Sequence, residues 1–191
     1  IAEIAYKNMT KEFRNFSSTD ANIYLLEAGD RILPSYSESL AKKSNKFLND
    51  LGVKIKTKER VENIEEMKVT TNKQVIYADN IIWAAGNEAS PLIKYLDTET
   101  DNEGRAVVNL DCSIKEDNEV YVIGDAANFK TESGESLPGI APVAIQQGRY
   151  VAHNIKKNIE KEKRKPFRYS DKGTMATIGR FKAIGVVGNF E

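Results

Sequence analysis

The segment VYVIGDAA, residues 120–127, constrains the fold of this chain more than any other part of the sequence. It starts with four strand-forming residues and continues with a glycine and an aspartate. After a polar loop that contains Gly and Pro, hydrophobic spacing predicts a long helix from about Pro142 to Lys157. Strands alternate with helices in α/β proteins, which bind ligands beyond the carboxyl ends of the strands. We therefore predict that Val120–Ile123 is a buried parallel strand that ends at a ligand site.

Two residues at the end of this predicted strand are candidates for ligand binding. Gly124 has no Cβ atom, so the backbone could approach a ligand closely there. Asp125 would offer carboxylate oxygens as acceptors to a hydroxylated ligand. The alternative is an ordinary strand end with an aspartate in a turn.

The chain resembles a known family of flavoproteins. IGDAA and LPGIAPVAIQQGRYVAHNI are similar to the second flavin-binding segment of reductases built from two dinucleotide-binding domains. DKGTMATIGRFKAIG, residues 171–185, narrows the resemblance to the type II, non-proton-pumping NADH dehydrogenases. The similarity continues upstream through NIYLLEAGDRILPSYSESLAKKSNKFLNDLGVKI and NIIWAAG, so it covers nearly the whole chain.

This resemblance implies a Rossmann-like FAD/NAD(P)-binding α/β fold, present only in part. Residues 1–88 would be the back half of an NADH-binding domain without its GxGxxG strand and turn. Residues 89–191 would be the returning part of a FAD-binding domain, with a flavin-facing helix and a C-terminal linker. The sequence starts at Ile1 inside a helical pattern and stops just after a predicted strand. We therefore expect a C-terminal fragment of a longer enzyme, which by itself is inactive and does not retain FAD.

Hydrophobic spacing and turn residues predict the elements of residues 1–88. They are a helix over residues 1–13, a strand over Ile23–Leu26, a helix over Glu38–Leu51 that stops at Gly52, a strand over Val53–Ile55, an antiparallel meander between about residues 60 and 78, and a buried strand over Ile81–Trp83. In the later long helix, the predicted apolar face consists of Ala144, Ile145, Gly148, Val151, Ala152 and Ile155.

Glu27 is the candidate residue for coenzyme selection. An acid at the end of the second strand of a Rossmann unit accepts hydrogen bonds from the adenosine ribose and repels a 2′-phosphate. The resemblance implies that Glu27 favours NADH over NADPH. Arg31 lies close enough in sequence to accommodate a phosphate instead, and a solvated strand-end glutamate is the alternative. Ala85 and Gly86 would let backbone approach the nicotinamide nucleotide, although a tight turn explains them equally well.

The resemblance also assigns a role to the start of the long helix. Its unpaired N–H groups and positive dipole end would face the pyrimidine edge of the flavin and stabilise developing negative charge. The contacts would come from backbone at Ala144 and Ile145, with Gln146 close behind. Some family members carry A-Q-x-x-x-Q on the quinone side of this helix, where this chain has Pro142 and Gln146. Pro142 cannot donate to a quinone, so the identity of the acceptor stays open.

Composition excludes several other classes of function. The 28 basic and 28 acidic residues cancel, so charge gives no reason to expect nucleic acid as a partner. A single cysteine, Cys112, cannot form an intramolecular disulfide and is predicted to be a packing residue. His153 is predicted to lie on a helix surface, and no metal site is expected. The charged run KKNIEKEKRK is predicted to be a solvated helix end, and no apolar run reaches the length of about 20 residues that a membrane span needs.

The resemblance implies hydride transfer from NADH to FAD and then electron transfer to a quinone. No side chain is assigned as catalytic, because the flavin carries the redox chemistry. Membrane attachment would use a C-terminal segment absent from this chain, at the cytoplasmic, inner face of the cell membrane, and a homodimer is compatible with the family. The alternatives are a soluble NAD(P)H-dependent ferredoxin or protein reductase of the same fold, and a non-catalytic nucleotide-binding module.

Overall fold

The computed structural model describes residues 1–15, 17, 21–159 and 164–188. These residues form two compact units, one of residues 1–83 with the chain from Lys172 onward, the other of residues 84–171. The assignment of residues 1–88 and 89–191 to two nucleotide domains stays a prediction. Residues 160–163 of the predicted solvated helix end lie outside the described residues. None of the helices in the described ranges is long and apolar enough to cross a bilayer.

The two units contain both helices and strands. The first helix is π-helical over Ile4–Met9 and α-helical over Thr10–Glu12 (α1), and the later helices are α2 (Glu38–Asp50), a 3-10 turn Pro91–Tyr95, a 3-10 turn Gly124–Ala126 and α3 (Ala141–Ile159). The strands are β1 (Ile23–Leu26), β2 (Val53–Lys56), β3 (Val61–Glu65), β4 (Lys68–Thr71), β5 (Val75–Tyr77), β6 (Ala106–Val108), β7 (Ala127–Phe129), β8 (Thr174–Ile178) and β9 (Lys182–Val186).

The first unit contains a β-α-β crossover. Strands β1 and β2 pair in parallel, with Ile23 opposite Val53, and α2 connects them, as a parallel pair requires. The Ser37 side chain caps α2 by accepting from the Leu40 amide at 3.3 Å. Gly52, at φ +83°, ends the helix in the left-handed region. The predicted helix, its stop and the following strand are confirmed.

Two smaller sheets complete this unit. Strands β3, β4 and β5 form the predicted antiparallel meander in that order. Strands β8 and β9 form an antiparallel hairpin from the GTMATIGR region. The hairpin packs on α2 through Leu40, Ile178 and Ile184, which are all buried.

The second unit is organised around a short parallel pair, in which β6 lies beside β7. Its core includes the fully buried Phe129, whose ring meets Phe167 edge-to-face at 5.3 Å between centroids. Cys112 is buried in the same core, which confirms the predicted packing role. Burial, together with the neighbouring Asp111 charge, raises the pKa of the Cys112 thiol to about 12. This thiol is therefore protonated and unreactive near neutral pH.

The prediction of a parallel strand over Val120–Ile123 is wrong. This segment is extended and antiparallel to residues 112–114, with the Val122 amide donating to the Cys112 carbonyl at 3.0 Å. Gly124, at φ +65°, then turns the chain, and the parallel pairing starts only at Ala127. The turn therefore precedes the parallel strand instead of following it.

The predicted buried strand Ile81–Trp83 is also wrong. The segment has no strand partner in the described part of the chain, and Ile82 and Trp83 are 69% and 63% exposed. An apolar run becomes a buried strand only where neighbouring strands and covering helices exist. Local sequence cannot supply those partners.

The predicted apolar face of α3 matches its buried face only in part, because Val151 is buried and Ala144 and Gly148 are half-buried. Ile145 is 53% exposed, and Ala152 and Ile155 are exposed as well. The buried positions are Val143, Gln147, Val151 and Asn154. Two amide side chains thus lie on the buried face, and the desolvation of Gln147 is offset by a hydrogen bond from the Gly124 amide.

We expect Thr71→Val to destabilise the protein by about 1–3 kcal/mol, because Thr71 connects a buried hydrogen-bond network. Its hydroxyl lies 3.0 Å from the Glu59 carboxylate and accepts from the backbone amide of Gln74 at 3.0 Å. Denaturant unfolding of the protein as its gene encodes it measures the loss. The control is Thr70→Val in the same strand, where no hydroxyl hydrogen bond occurs among the described residues. Equal losses in the two variants would contradict the network.

Candidate functional site

The first candidate site lies at the carboxyl end of β1. The Glu27 amide donates to the Lys56 carbonyl at 2.9 Å, so the parallel ladder extends one residue beyond the strands. The Glu27 side chain turns back, and its Oε1 accepts from the Gly29 amide at 2.7 Å. This bond orders the side chain at the strand end and leaves Oε2 as a further acceptor.

The segment after β2 fixes the Glu27 loop from the side. The Glu59 amide donates to the Glu27 carbonyl at 3.0 Å, and the Lys58 amide donates to the Gly29 carbonyl at 2.8 Å. Both ends of the loop are therefore attached by backbone bonds that do not depend on the identity of the side chains. The Glu27 carboxylate sits on a well-defined support.

Glu59 connects that support to the meander. Its side chain is only 4% exposed. Its Oε1 accepts from the Thr71 hydroxyl and, at 2.6 Å, from the side-chain amide of Gln74. Burial alone would raise the pKa of this carboxyl. The hydrogen bonds from Gln74 and Thr71, aided by Lys56 and Lys73, outweigh burial and hold the pKa below its ordinary value. Glu59 therefore stays ionised, and sequence reasoning missed it because no pattern marks a single buried acid.

The Arg31 guanidinium is already hydrogen-bonded to backbone carbonyls, which disfavours phosphate binding by this side chain. Its two terminal guanidinium nitrogens donate to the Tyr36 and Pro34 carbonyls at 2.8 and 2.9 Å. A 2′-phosphate would have to compete with both bonds. This geometry favours the interpretation in which the acid at Glu27, and not the nearby guanidinium, decides what binds.

The second candidate site is the turn at Gly124 and the helix that packs on it. Gly124 has φ +65°, and a Cβ atom added there would lie 3.2 Å from the Ala144 Cβ. The Gly124 amide donates to the side-chain oxygen of Gln147 at 2.8 Å. The predicted close backbone approach at Gly124 thus exists, but the partner is α3 of the same unit.

Asp125 is presented by this turn without a structural task of its own. It is exposed, and among the described residues its carboxylate accepts no hydrogen bond. It does not cap the 3-10 turn, whose N-cap is Ile123 with no side-chain bond. Gly139 lies close to it, because a Cβ there would be in van der Waals contact with Oδ1, at 3.4 Å. An exposed carboxylate is suited to accept hydrogen bonds from ligand hydroxyls.

The start of α3 lies beside this turn. The amides of Val143 and Ala144 both donate to the Ile140 carbonyl, at 3.0 and 3.2 Å. The Ala144 amide is therefore paired already, and the positive end of the helix dipole is what remains for a ligand. Pro142 and Ile145 are exposed at this end.

The Gln146 side chain forms two hydrogen bonds with the Ser170 backbone, and we call this pair of bonds the clamp. Its amide nitrogen donates to the Ser170 carbonyl, and its oxygen accepts from the Ser170 amide, both at 3.0 Å. This clamp joins α3 to the segment before β8. A ligand contact from Gln146 would require breaking these bonds, so Gln146 acts here as a structural residue.

The remaining predicted positions lie apart from these contacts. Ala85 and Gly86 are exposed in irregular backbone, and Gly86, at φ +125°, faces open space. His153 lies exposed on α3, as predicted. Among the described residues, no group of three or more His, Cys, Asp or Glu side chains could hold a metal ion.

The β-α-β crossover with an acid at the strand end, and the Gly-Asp turn packed on a helix start, are features of a partial Rossmann-like α/β fold. The sequence profile described as pyridine nucleotide-disulphide oxidoreductase matches residues 8–148. The chain belongs to that family.

The chain is similar to individual proteins within this family. The chain is 34% identical over 203 residues to the type II NADH:quinone oxidoreductase Ndh of Mycobacterium tuberculosis, and the match covers 100% of this chain and 43% of that protein. It is 34% identical over 170 residues to a type II NADH:quinone oxidoreductase of Staphylococcus aureus, covering 86% and 42%. The chain therefore spans less than half the length of these relatives.

A solved structure shows the same fold. NDH2 from Plasmodium falciparum in complex with NADH superposes with a TM-score of 0.85 at 14% identity, covering 99% of this chain and 54% of that one. At this identity the likeness concerns the fold alone. It confirms the predicted partial Rossmann-like fold of the FAD/NAD(P)-binding kind.

We expect Gln146→Ala to speed hydrogen exchange at the Ser170 amide about 5- to 10-fold, because a hydrogen bond of about 1 kcal/mol is lost. Exchange measured residue by residue on the protein as its gene encodes it tests this. Arg149→Ala, an exposed change one turn later on α3, is the control. Unchanged exchange at Ser170 would show that the clamp does not form in solution and would return Gln146 to the list of ligand contacts.

Proposed function

We propose that this chain is part of a flavoprotein oxidoreductase that takes hydride from NADH onto FAD and passes the electrons to a quinone. The observation that carries the proposal is the exposed Asp125 carboxylate, which has no hydrogen-bond partner among the described residues and which the Gly124 turn presents beside the start of α3. The similarity to type II NADH:quinone oxidoreductases along the whole chain supports the same function.

The residues of the second unit fit a flavin. Asp125 would accept hydrogen bonds from ribityl hydroxyls through its exposed carboxylate. The N-terminal end of α3 would place its positive dipole end toward the flavin ring. When bound, FAD supplies the hydride and electron chemistry, and these residues bind and orient it.

In the first unit, the residues at the end of β1 fit the adenosine part of NADH. Glu27 would accept from the ribose hydroxyls through the oxygen that does not bind Gly29. The same carboxylate repels a 2′-phosphate, and Arg31 is bound to carbonyls instead of being available for that phosphate. The proposed donor is therefore NADH.

The quinone is the part of the proposal that depends most on the relatives. Pro142 cannot donate a hydrogen bond, and Gln146 is bound to Ser170, so neither side chain of this helix start selects the acceptor. Because long-chain quinones dissolve in bilayers, the proposed acceptor requires the enzyme to work at a membrane surface.

Three measurements on the protein as its gene encodes it test the function. Purified protein should carry FAD, oxidise NADH in preference to NADPH, and reduce a short-chain ubiquinone or menaquinone analogue. Reduction of ferredoxin without quinone reduction would favour the soluble reductase. Nucleotide binding without NADH oxidation would favour the non-catalytic module.

We expect Glu27→Ser to lower the NADH-over-NADPH ratio of kcat/KM about 10- to 100-fold. A hydrogen bond to a charged acceptor is worth about 1.5–3 kcal/mol, and loss of the charge also removes the repulsion of a 2′-phosphate. Steady-state kinetics with both coenzymes measure the ratio. Glu66→Ser, at an exposed position in the meander, is the matched control. An unchanged ratio would make Glu27 an ordinary surface residue.

We expect Asp125→Ala to raise the FAD dissociation constant by about 10- to 100-fold while the fold is kept, because one charge-assisted hydrogen bond is lost. Titration of the refolded apoprotein, followed by flavin fluorescence, measures the constant beside thermal unfolding. Glu135→Ala removes an exposed acid from the following loop as a control. Unchanged flavin affinity with a lowered melting temperature would overturn the assignment of Asp125.

A further inference from the structure

Gln147 is an amide buried where the helix pattern calls for an apolar residue. Its side chain is only 1% exposed, between Val143 and Val151 on the buried face of α3. Burying an amide without partners is unfavourable, so a specific hydrogen bond has to offset its desolvation. That bond comes from the Gly124 amide, at 2.8 Å, from a residue 23 positions earlier in the chain.

Gly124 is attached to α3 at two points. The first is the close approach to Ala144, where an added Cβ would lie only 3.2 Å from the Ala144 Cβ. The second is the hydrogen bond to Gln147, three residues further along the same helix face. A contact alone lets the turn slide along the helix, whereas a directional bond fixes its position and rotation.

The bond also decides which group of the turn can meet a ligand. Because the Gly124 amide already donates to Gln147, it is not available as a donor to a ligand oxygen. The adjacent Asp125 carboxylate is exposed and accepts no hydrogen bond from the described residues. The Asp125 carboxylate is therefore a group of this turn that can still accept hydrogen bonds from a ligand.

We propose that Gln147 is the positioning residue for Asp125: it holds the Gly124 amide so that the carboxylate of the next residue is directed at a flavin hydroxyl. This rests on the proposed function, since it takes the ligand of the turn to be FAD. Gln147 itself touches no ligand in this arrangement. Without it, the Gly124 amide loses its acceptor and the turn relaxes.

The test compares three variants of the protein as its gene encodes it. Gln147→Leu keeps the side-chain size but removes the acceptor, and Gln147→Glu keeps an acceptor oxygen. Asn154→Leu is the matched control, because Asn154 is an amide on the same buried face, 2% exposed, and its side-chain nitrogen has no hydrogen-bond partner within 3.5 Å among the described residues. The readouts are the FAD dissociation constant and the melting temperature of the apoprotein.

We expect Gln147→Leu to raise the FAD dissociation constant about 10- to 100-fold, and Gln147→Glu to restore it to within about fivefold of wild type. Asn154→Leu should change the constant less than about threefold, whatever it does to the melting temperature. Equal weakening by Gln147→Leu and Asn154→Leu would overturn the proposal, because the effect would then be one of general packing.

A double-mutant cycle separates positioning from stability. If Gln147 acts through Asp125, then Gln147→Leu should have almost no further effect on FAD affinity in an Asp125→Ala background. If the double variant weakens FAD binding by the product of the two single-variant factors, the proposal is overturned. Should Gln147→Leu not fold, Gly124→Ala displaces the same turn by its clash with Ala144, and the same cycle with Asp125→Ala applies.

The wild-type protein separates this inference from the proposed function. One outcome is that wild type binds FAD and reduces a quinone while Gln147→Leu and Asp125→Ala weaken FAD binding independently of each other. That result would overturn the role of Gln147 and leave the proposed function standing. A wild-type protein without FAD affinity would overturn both.

Discussion

The hydrogen bond between the Gly124 amide and the buried Gln147 side chain is the constraint on which the second unit depends. It fixes the point where the chain leaves the antiparallel segment before Gly124 and enters β7. Strand β7 then lies beside β6 and brings Phe129 into the core against Phe167. The turn that carries Asp125 is thus also the turn that leads into the parallel pair. The position of the candidate site and the position of β7 in the core therefore both depend on this turn.

The first unit supports its site by a related device. A loop beyond a parallel pair is held by backbone bonds to Glu27 and Gly29, and a buried polar side chain connects that support to another part of the unit. Here the buried group is the Glu59 carboxylate, which Thr71 and Gln74 satisfy. A buried charge seldom adds stability over an apolar residue, but it is costly to leave unpaired, so it enforces a specific arrangement of its neighbours.

The elements that sequence predicted well are those that local interactions define. Helix α2 has its own cap at Ser37, its own apolar face and a glycine stop at Gly52, and the meander follows from short alternating segments. The strands predicted over Ile81–Trp83 and Val120–Ile123 fail, because a strand's identity depends on partners that lie elsewhere in the chain. The candidate acids, Glu27 and Asp125, could be found from position and resemblance, whereas their supports could not. Gln147 and Glu59 are explained only by partners that are 23 and 12 or more residues away.

The adjacent glutamines of α3 show how one helix can separate support from recognition. Successive helix residues point about 100° apart, so Gln146 and Gln147 reach different neighbours. Gln146 binds both backbone groups of Ser170, and Gln147 binds the Gly124 amide. Both side chains that could have recognised a ligand at this helix start are therefore committed to holding backbone in place. The groups exposed near this helix start include the Asp125 carboxylate and the apolar surface of Pro142 and Ile145. Under the proposed function, such a surface would discriminate between electron acceptors by shape and polarity, because Gln146 and Gln147 are bound to Ser170 and Gly124.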